Sequence, residues 1–409
     1  MSSNTLLDRC SVNTNFDEDT FVGISKEEQS DKYSVKFPLG FHMGETEKEI
    51  RKDILMLFNI LSKTTDKKES SIEDGCLNEI DNIPIYSYLF LIKDYYEHGY
   101  YKEKETIYHC SKRGKINWGR TIKEIKPVIQ DNEAYYLKFV TRKNTVNENE
   151  LITLIHKYCV YLSFEQIGWL FTTYLPIKPK TGLSKKKMLV IVKGKLQNTY
   201  NDKNKNLFKN MINILNNIGD DSKSNFIYGT NRFEYCWEKM LDKVYGVSNK
   251  KDYFPKTTWN LEGDKKYTNA SLEPDTIMLY NNKVYVLDAK YYKFGNTGNP
   301  LHLPESTSIN KQITYGEYIA ENKKFYRNDK EPKVYNAFIM PFDSKSKIFD
   351  NNTNIYCAGI ANSSWKNGSK SYENVLGLMI DVKYLMTLYS KHDMDSIKEL
   401  VSVIESNVE

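Results

Sequence analysis

The sequence predicts an α/β (α+β) fold in which helices flank a central mixed sheet, with an N-terminal accessory domain. Three observations carry that expectation. Helical and strand-like segments alternate through residues 221–409. An Asn281-Asn282 pair separates two strand-like runs, as in a tight hairpin. A hydrophobic fraction of 40% over 409 residues allows a sizeable core and two or three domains.

The elements follow in chain order. The first 30 residues are polar and read as a loose arm. Residues 45–62, ETEKEIRKDILMLFNILS, set Ile50, Ile54, Leu57 and Leu61 at helical spacing. Residues 84–109 are Tyr-rich and apolar and read as a helix followed by a strand. Gly114 and Gly119 mark turns, and Pro127 closes that stretch. AYYLKFVTRKNTVNENELITLIHKYCVYL reads as a strand, a polar turn and a helix starting near Asn147. LFKNMINILNNIG reads as a short helix stopped by Gly219, and DDSKS (220–224) as a linker. That linker marks residues 221–409 as a separate domain.

Beyond the linker, Phe233, Cys236, Trp237, Met240, Leu241 and Val244 form one apolar stripe on a helix over 231–245. Strands are expected at 275–280 and 283–290, a polar loop at 294–304 and a helix around 308–321. VYNAFIMPF and NIYCAGIA read as strands, and LGLMIDVKYLMTLYS and a C-terminal helix end the chain.

The net charge is +5, too small to identify a partner, but it is unevenly spread. Residues 178–210 carry ten lysines, among them Lys185, Lys186, Lys187, Lys193 and Lys195, against Asp202 alone. That segment fits either a phosphate-binding surface or a solvated Lys-rich linker. The six cysteines show no CxxC spacing, and no HExxH occurs. There is no apolar run long enough to span a bilayer and no basic-then-apolar leader, so a cytoplasmic protein without a membrane partner is expected. No GxxxxGK[ST] loop occurs, so any NTP-driven step needs a partner.

The chemistry concentrates in LEPDTIMLYNNKVYVLDAKYYK, residues 272–293. If Asn281-Asn282 is a two-residue type I′ turn, Tyr280 pairs with Lys283 and Asp275 stands opposite Asp288. Directly opposed residues have β-carbons about 4.5–5.5 Å apart. Lys290, two residues beyond Asp288, shares that face. Opposed like charges destabilise a ladder, and a bound divalent cation would compensate them. The same letters also fit a solvated hairpin with a surface Asp288–Lys290 ion pair. The register coincidence and the apolar run before Asp288 favour the first reading.

These residues resemble the PD-(D/E)xK nuclease motif, Pro274-Asp275 being its first half and Asp288-Ala289-Lys290 its second. In that superfamily a preceding helix often carries a glutamate. RFEYCWEKML offers Glu234, at the edge of the apolar stripe, and Glu238, one turn on and expected to be more exposed; Glu234 is preferred. A later helix often carries Gln or a basic residue, and NKQITYGEYI offers Gln312, with Lys311 and Tyr315 near it. More narrowly, GKINWGRTIKEI, NTVNENELITLIHKY, FEYCWEKML, EPDTIML, VLDAKYY and QITYGEYI together resemble the McrC and LlaJI group of restriction endonuclease subunits over about residues 106–320, which implies an N-terminal DNA-recognition or partner-binding module at 1–105, a middle region at 106–220 and a PD-(D/E)xK nuclease domain at 221–409. Within GKINWGRTI, Trp118 and Ile122 read as core, and Lys115, Arg120 and Lys123 as possible phosphate contacts.

The resemblance implies Mg²⁺-dependent (Mn²⁺ as substitute) hydrolysis of double-stranded DNA, as a type II site-specific deoxyribonuclease of a restriction-modification system. It implies Asp275 and Asp288 as metal ligands with the Ala289 carbonyl, Glu234 orienting the metal's water shell or binding a second ion, and Lys290 positioning or activating water. Gln312 would hold water or phosphate. Cutting both strands would need a homodimer or an assembly with a second catalytic or NTPase subunit, beside a cognate methyltransferase. Two other readings stay open: a McrC-like nuclease subunit dependent on a GTPase or ATPase motor, and a non-catalytic DNA-binding assembly subunit.

Overall fold

The computed structural model describes residues 6–16, 19–26, 33–64, 84–147, 150–217, 227–263, 265–269, 271–349, 353–389 and 394–408. The chain divides into two compact units, residues 1–81 with 225–409, and residues 82–224. The first unit opens with β1 (Cys10–Val12), β2 (Val22–Lys26), β3 (Tyr33–Phe37) and α1 (Glu47–Thr64). The second holds α2 (Ile85–His98), β4 (Glu103–Ser111), β5 (Lys115–Ile116), α3 (Trp118–Glu124), β6 (Val128–Gln130), β7 (Glu133–Tyr135), β8 (Phe139–Asn147), α4 (Leu151–Ile167), α5 (Lys185–Gln197) and α6 (Asp202–Asn216). The first then resumes with β9 (Ile227–Thr230), α7 (Phe233–Tyr245), β10 (Thr258–Leu261), β11 (Lys265–Thr268), β12 (Thr276–Tyr280) and β13 (Lys283–Ala289). It ends with α8 (Phe294–Thr297), α9 (Ser306–Glu321), β14 (Lys333–Phe342), β15 (Ile355–Ala361), β16 (Val375–Asp381), α10 (Val382–Leu388) and α11 (Met394–Val408).

This division differs from the three segments drawn from sequence. The expected boundary at residue 105 falls inside β4. The N-terminal residues, read as a loose arm, supply strands to a four-stranded sheet, β1-β3-β2-β9. Its last strand comes from beyond the second unit, with Val22 paired to Thr230 and Ile24 to Tyr228. Sheet pairing across a large sequence separation leaves no local periodicity to read. The expected linker at 220–224 and the stop at Gly219 lie outside the described residues.

The main sheet of the first unit has the order β12-β13-β14-β16-β15. Its outer pairs, β12/β13 and β15/β16, are antiparallel, and its inner pairs, β13/β14 and β14/β16, are parallel. The sheet is thus mixed and helix-flanked, as the sequence predicts. β14 is buried from Val334 to Phe342, the continuous apolar run of a strand covered on both faces. Pro341 is tolerated there because β13 pairing stops at Ala289↔Ile339. The Ile339 carbonyl takes the last bond on that side, from the Lys290 N–H, so two residues on no donor is missed. Helix α7 lays its stripe on β12 and β13, and the Trp237 indole donates to the Ile339 carbonyl at 3.1 Å. On the other face, α9 approaches closely at Gly316, where a Cβ would meet the Asn336 amide at 2.6 Å.

In the second unit the basic stretch is helical rather than a linker. Ser184 caps α5 by accepting the Lys187 N–H, and Asn201 caps α6 by accepting the Asn204 N–H. The helix expected near Asn147 begins at Leu151, because Asn147 is still paired with Glu103 at the end of β8. Trp118 and Ile122, expected in the core, are 53% and 62% exposed on the short helix α3. Trp118 packs edge-on to Phe139 at its inner side. Among the described residues, no helix is long and apolar enough to cross a membrane.

Candidate active site

The site is built on the β12–β13 hairpin. Asn281 and Asn282 have φ of 46° and 63°, the signature of a type I′ turn. The ladder runs Tyr280↔Lys283, Leu279↔Val284, Ile277↔Val286 and Thr276↔Leu287. The ladder ends there, and Asp275, just before β12, lies close enough to Asp288 for the two charges to act on one another. The Asp275 Oδ2 accepts the Ala289 N–H at 2.8 Å, so its carboxylate is pinned against β13. Asp288 is 6% exposed. Its Oδ2 lies 2.5 Å from Lys290 Nζ, a close ion pair, yet makes no hydrogen bond of standard geometry.

Burial and the Asp288 charge push the Asp275 carboxyl up to about 6, against the opposing pull of the Ala289 N–H, Lys290 and Lys250. Lys250 reaches that strand end by donating to the Asp275 carbonyl and to Asp242, each at 2.8 Å. Burial works against the charge of Lys290, but Asp288 and Asp275 outweigh it and hold the ammonium above its ordinary pKa. Lys290 is therefore a fixed cation beside two carboxylates, suited to orienting and neutralising rather than to taking a proton.

Helix α7 brings a third carboxylate into this field, and it is Glu238. Burial first, then the charges of Asp275 and Asp288, push the Glu238 carboxyl up to about 7. Glu234, preferred from sequence, sits one turn back, its side chain 42% exposed and paired with Arg232 at 3.2 Å. The Trp237 bond to Ile339 anchors α7 to the sheet one residue before Glu238. Gln312, expected to hold water or phosphate, is buried and donates instead to the Val286 carbonyl at 2.7 Å, tying α9 to β13. The α9 side chain that senses the site is Tyr315. Burial and the charges of Asp288 and Asp275 raise its hydroxyl, which donates to the Glu273 carbonyl at 3.1 Å. Lys311 is exposed, beside the Tyr315 ring.

The model of the LlaJI restriction endonuclease family matches residues 21–383, most of the chain. The chain belongs to the LlaJI restriction endonuclease family. A curated relative is the type II restriction enzyme BsuMI component YdjA of Bacillus subtilis (strain 168), 26% identical over 324 residues. The match covers 72% of this chain and 66% of the relative, so about a third of the relative has no counterpart in it. Among solved structures, a chain of the half-complex from the tetradecameric assembly of Thermococcus gammatolerans McrB AAA+ hexamers with bound McrC aligns at 14% identity. Its TM-score is 0.36, over 92% of this chain and 83% of that one.

In this LlaJI-family chain the lysines singled out by sequence lie on α5, in the other unit. Lys186, Lys187 and Lys193 are exposed. Lys195 is held by Glu103 at 2.6 Å, and Lys185 donates to the Asn216 carbonyl at 3.2 Å. Arg120 stacks on the Tyr108 ring, 3.9 Å from its centroid.

The donor set of the LlaJI-family site suits a hard, partly hydrated cation. Among the described residues, no group of three or more His, Cys, Asp or Glu side chains forms a closed metal cage. Two acidic side chains, Asp275 and Asp288, match the way Mg²⁺ is bound, by one or two carboxylates, its own waters and substrate oxygens.

Proposed function

We propose that this chain is the nuclease component of a restriction system, with the first unit acting as a PD-(D/E)xK-type core that hydrolyses phosphodiester bonds of double-stranded DNA with Mg²⁺, or Mn²⁺ in its place. The observation that carries this reading is the pair of neighbouring carboxylates, half-buried Asp275 and buried Asp288, with Lys290 ion-paired to Asp288. Membership of a restriction endonuclease family supports it.

Asp275 and Asp288, with the Ala289 carbonyl at the strand end, would hold the cation, and Glu238 borders it. Bound there, the cation would polarise a phosphoryl oxygen and acidify a water. The Lys290 ammonium donates to the non-bridging phosphate oxygen or to the attacking water, and fixes its position. Glu238, with a carboxyl raised to about 7, takes a proton at its carboxylate near neutral pH. Ile277, Val284 and Val286 belong to the buried cluster under α9 on which the hairpin rests.

One such site cuts one strand, so a double-strand break requires a second site or a second event. The relative is named as a component of a type II restriction enzyme. This favours an assembly with a further subunit over an enzyme acting alone, and a motor partner is one form of it. The test is plasmid cleavage by the purified chain with Mg²⁺, alone and then with products of the adjoining genes and NTP. Mg²⁺-dependent cutting lost in Asp288→Ala supports the reading. Cutting that survives Asp288→Ala, or no cutting under any of these conditions, defeats it.

A further inference from the structure

The β10–β11 ribbon stands immediately before the first catalytic strand, and every described ladder residue of it is exposed. The pairs are Thr258↔Thr268, Trp259↔Tyr267, Asn260↔Lys266 and Leu261↔Lys265. One face carries Trp259 and Tyr267, 62% and 61% exposed and directly opposed, with Leu261 and Lys265 beyond them. The other face carries Thr258, Thr268, Asn260 and Lys266. A two-stranded ribbon with both faces in water is marginal by itself, and an opposed Trp–Tyr pair left in solvent forgoes its burial energy.

The ribbon is firmly mounted at its base. Asn269 donates its N–H to the Thr257 carbonyl at 2.9 Å, and Leu272 donates to the Pro255 carbonyl at 2.9 Å. Phe254 and Pro255, just before the ribbon in the chain, are buried. Only two residues separate Leu272 from Asp275, so the base of the ribbon adjoins the hairpin that carries the site in the chain.

We infer that this ribbon grips the DNA flanking the scissile phosphate, an inference that rests on the nuclease reading of the Asp275 site. Charge selects this occupant. The ladder carries two lysines and no carboxylate, and Lys256 precedes it; in the sequence the acids Glu262 and Asp264 fall between the two strands. Lys265 and Lys266 project to opposite faces and neutralise phosphates on either side of the ribbon. The rings of Trp259 and Tyr267 lie against sugars and base faces, a contact that tolerates any sequence. A two-stranded ribbon is also of a size that the major groove admits.

The test compares Trp259→Ala/Tyr267→Ala and Lys265→Ala/Lys266→Ala with wild type in the full chain. Affinity for a mixed-sequence duplex is read by fluorescence anisotropy, with Ca²⁺ replacing Mg²⁺, across a salt series. The aromatic pair is expected to be worth about tenfold or more in affinity. The lysine pair is expected to reduce the slope of log K against log salt by about 2, since each phosphate contact contributes about 0.9. Melting temperatures should stay at the wild-type value, because these side chains are solvent-exposed. Wild-type affinity and slope in both variants, while the wild-type chain still cuts plasmid, would overturn the ribbon assignment and leave the nuclease reading standing. Normal DNA binding with loss of a protein partner would overturn it in favour of a protein-docking ribbon. A wild-type chain that binds DNA through the ribbon but never cuts would instead defeat the nuclease reading.

Discussion

Asp275 reaches across the hairpin to the Ala289 N–H at 2.8 Å, and this bond holds its carboxylate beside that of Asp288. Two carboxylates kept together in this way, one buried and one half-buried, cost stability when both are ionised. Asp275→Asn retains an oxygen that can accept the Ala289 N–H and removes one charge, while the Asp288–Lys290 pair stays intact. The apo protein should gain about 1–2 kcal/mol at neutral pH, because a raised carboxyl disfavours the ionised folded state. Cleavage should be lost. Urea or thermal unfolding in EDTA, beside a plasmid assay in Mg²⁺, reads both effects; an Asn variant that is less stable than wild type would contradict the repulsion.

The two glutamates of α7 should separate cleanly. Glu238→Gln is expected to lower the cleavage rate by about 10²-fold or more, the scale of a lost acid–base or charge-positioning group. Glu234→Gln, which breaks only an exposed pair with Arg232, should stay within about fivefold of wild type. Single-turnover cleavage of plasmid by the two variants decides between them. A larger loss in Glu234→Gln would return the role to the residue that sequence favours.

That contrast marks where sequence stops being informative. The hairpin register was legible because two adjacent asparagines adopt positive φ, and this turn length dictates every pair behind it. The α7 stripe was legible because Phe233, Trp237 and Met240 recur at helical spacing. Which of two carboxylates one turn apart senses Asp275 and Asp288 depends on how the helix sits on the sheet, where the Trp237–Ile339 bond anchors it. Gln312 looked polar and available in the sequence, but its burial follows from the close seat of α9 on β14 at Gly316. The small N-terminal sheet escaped detection because β2 finds its partner β9 only after the whole second unit.

Glu238 also makes the apo protein's stability depend on pH. Its folded carboxyl lies at about 7, above the ordinary 4.5, so the folded state holds the extra proton between those values. The stabilisation that this gives is complete below pH 4.5 and is lost as pH rises through 7. Relative to Glu238→Gln, wild type should therefore melt progressively lower from pH 5 to pH 8 in EDTA. Mg²⁺ should restore more of the melting temperature at pH 8 than at pH 5.5, since the ligands must shed protons to bind it. Calorimetry of the two proteins across that range checks the sign. A gap that shrinks with rising pH would refute the assignment.

Gln312 should behave as a structural tie rather than as part of the chemistry. Its amide donates to the Val286 carbonyl at 2.7 Å from a buried position, so Gln312→Ala removes a hydrogen bond and leaves a small void between α9 and β13. Such a change typically costs about 2–3 kcal/mol. The strand it ties carries Asp288 two residues on, so the fold should loosen while the carboxylate pair survives. At low temperature, where the variant remains folded, its cleavage rate per folded molecule should be within a few-fold of wild type. Unfolding curves combined with single-turnover cleavage separate the two roles. A stable Gln312→Ala protein with a rate reduced by orders of magnitude would mean that the amide acts on water or phosphate after all.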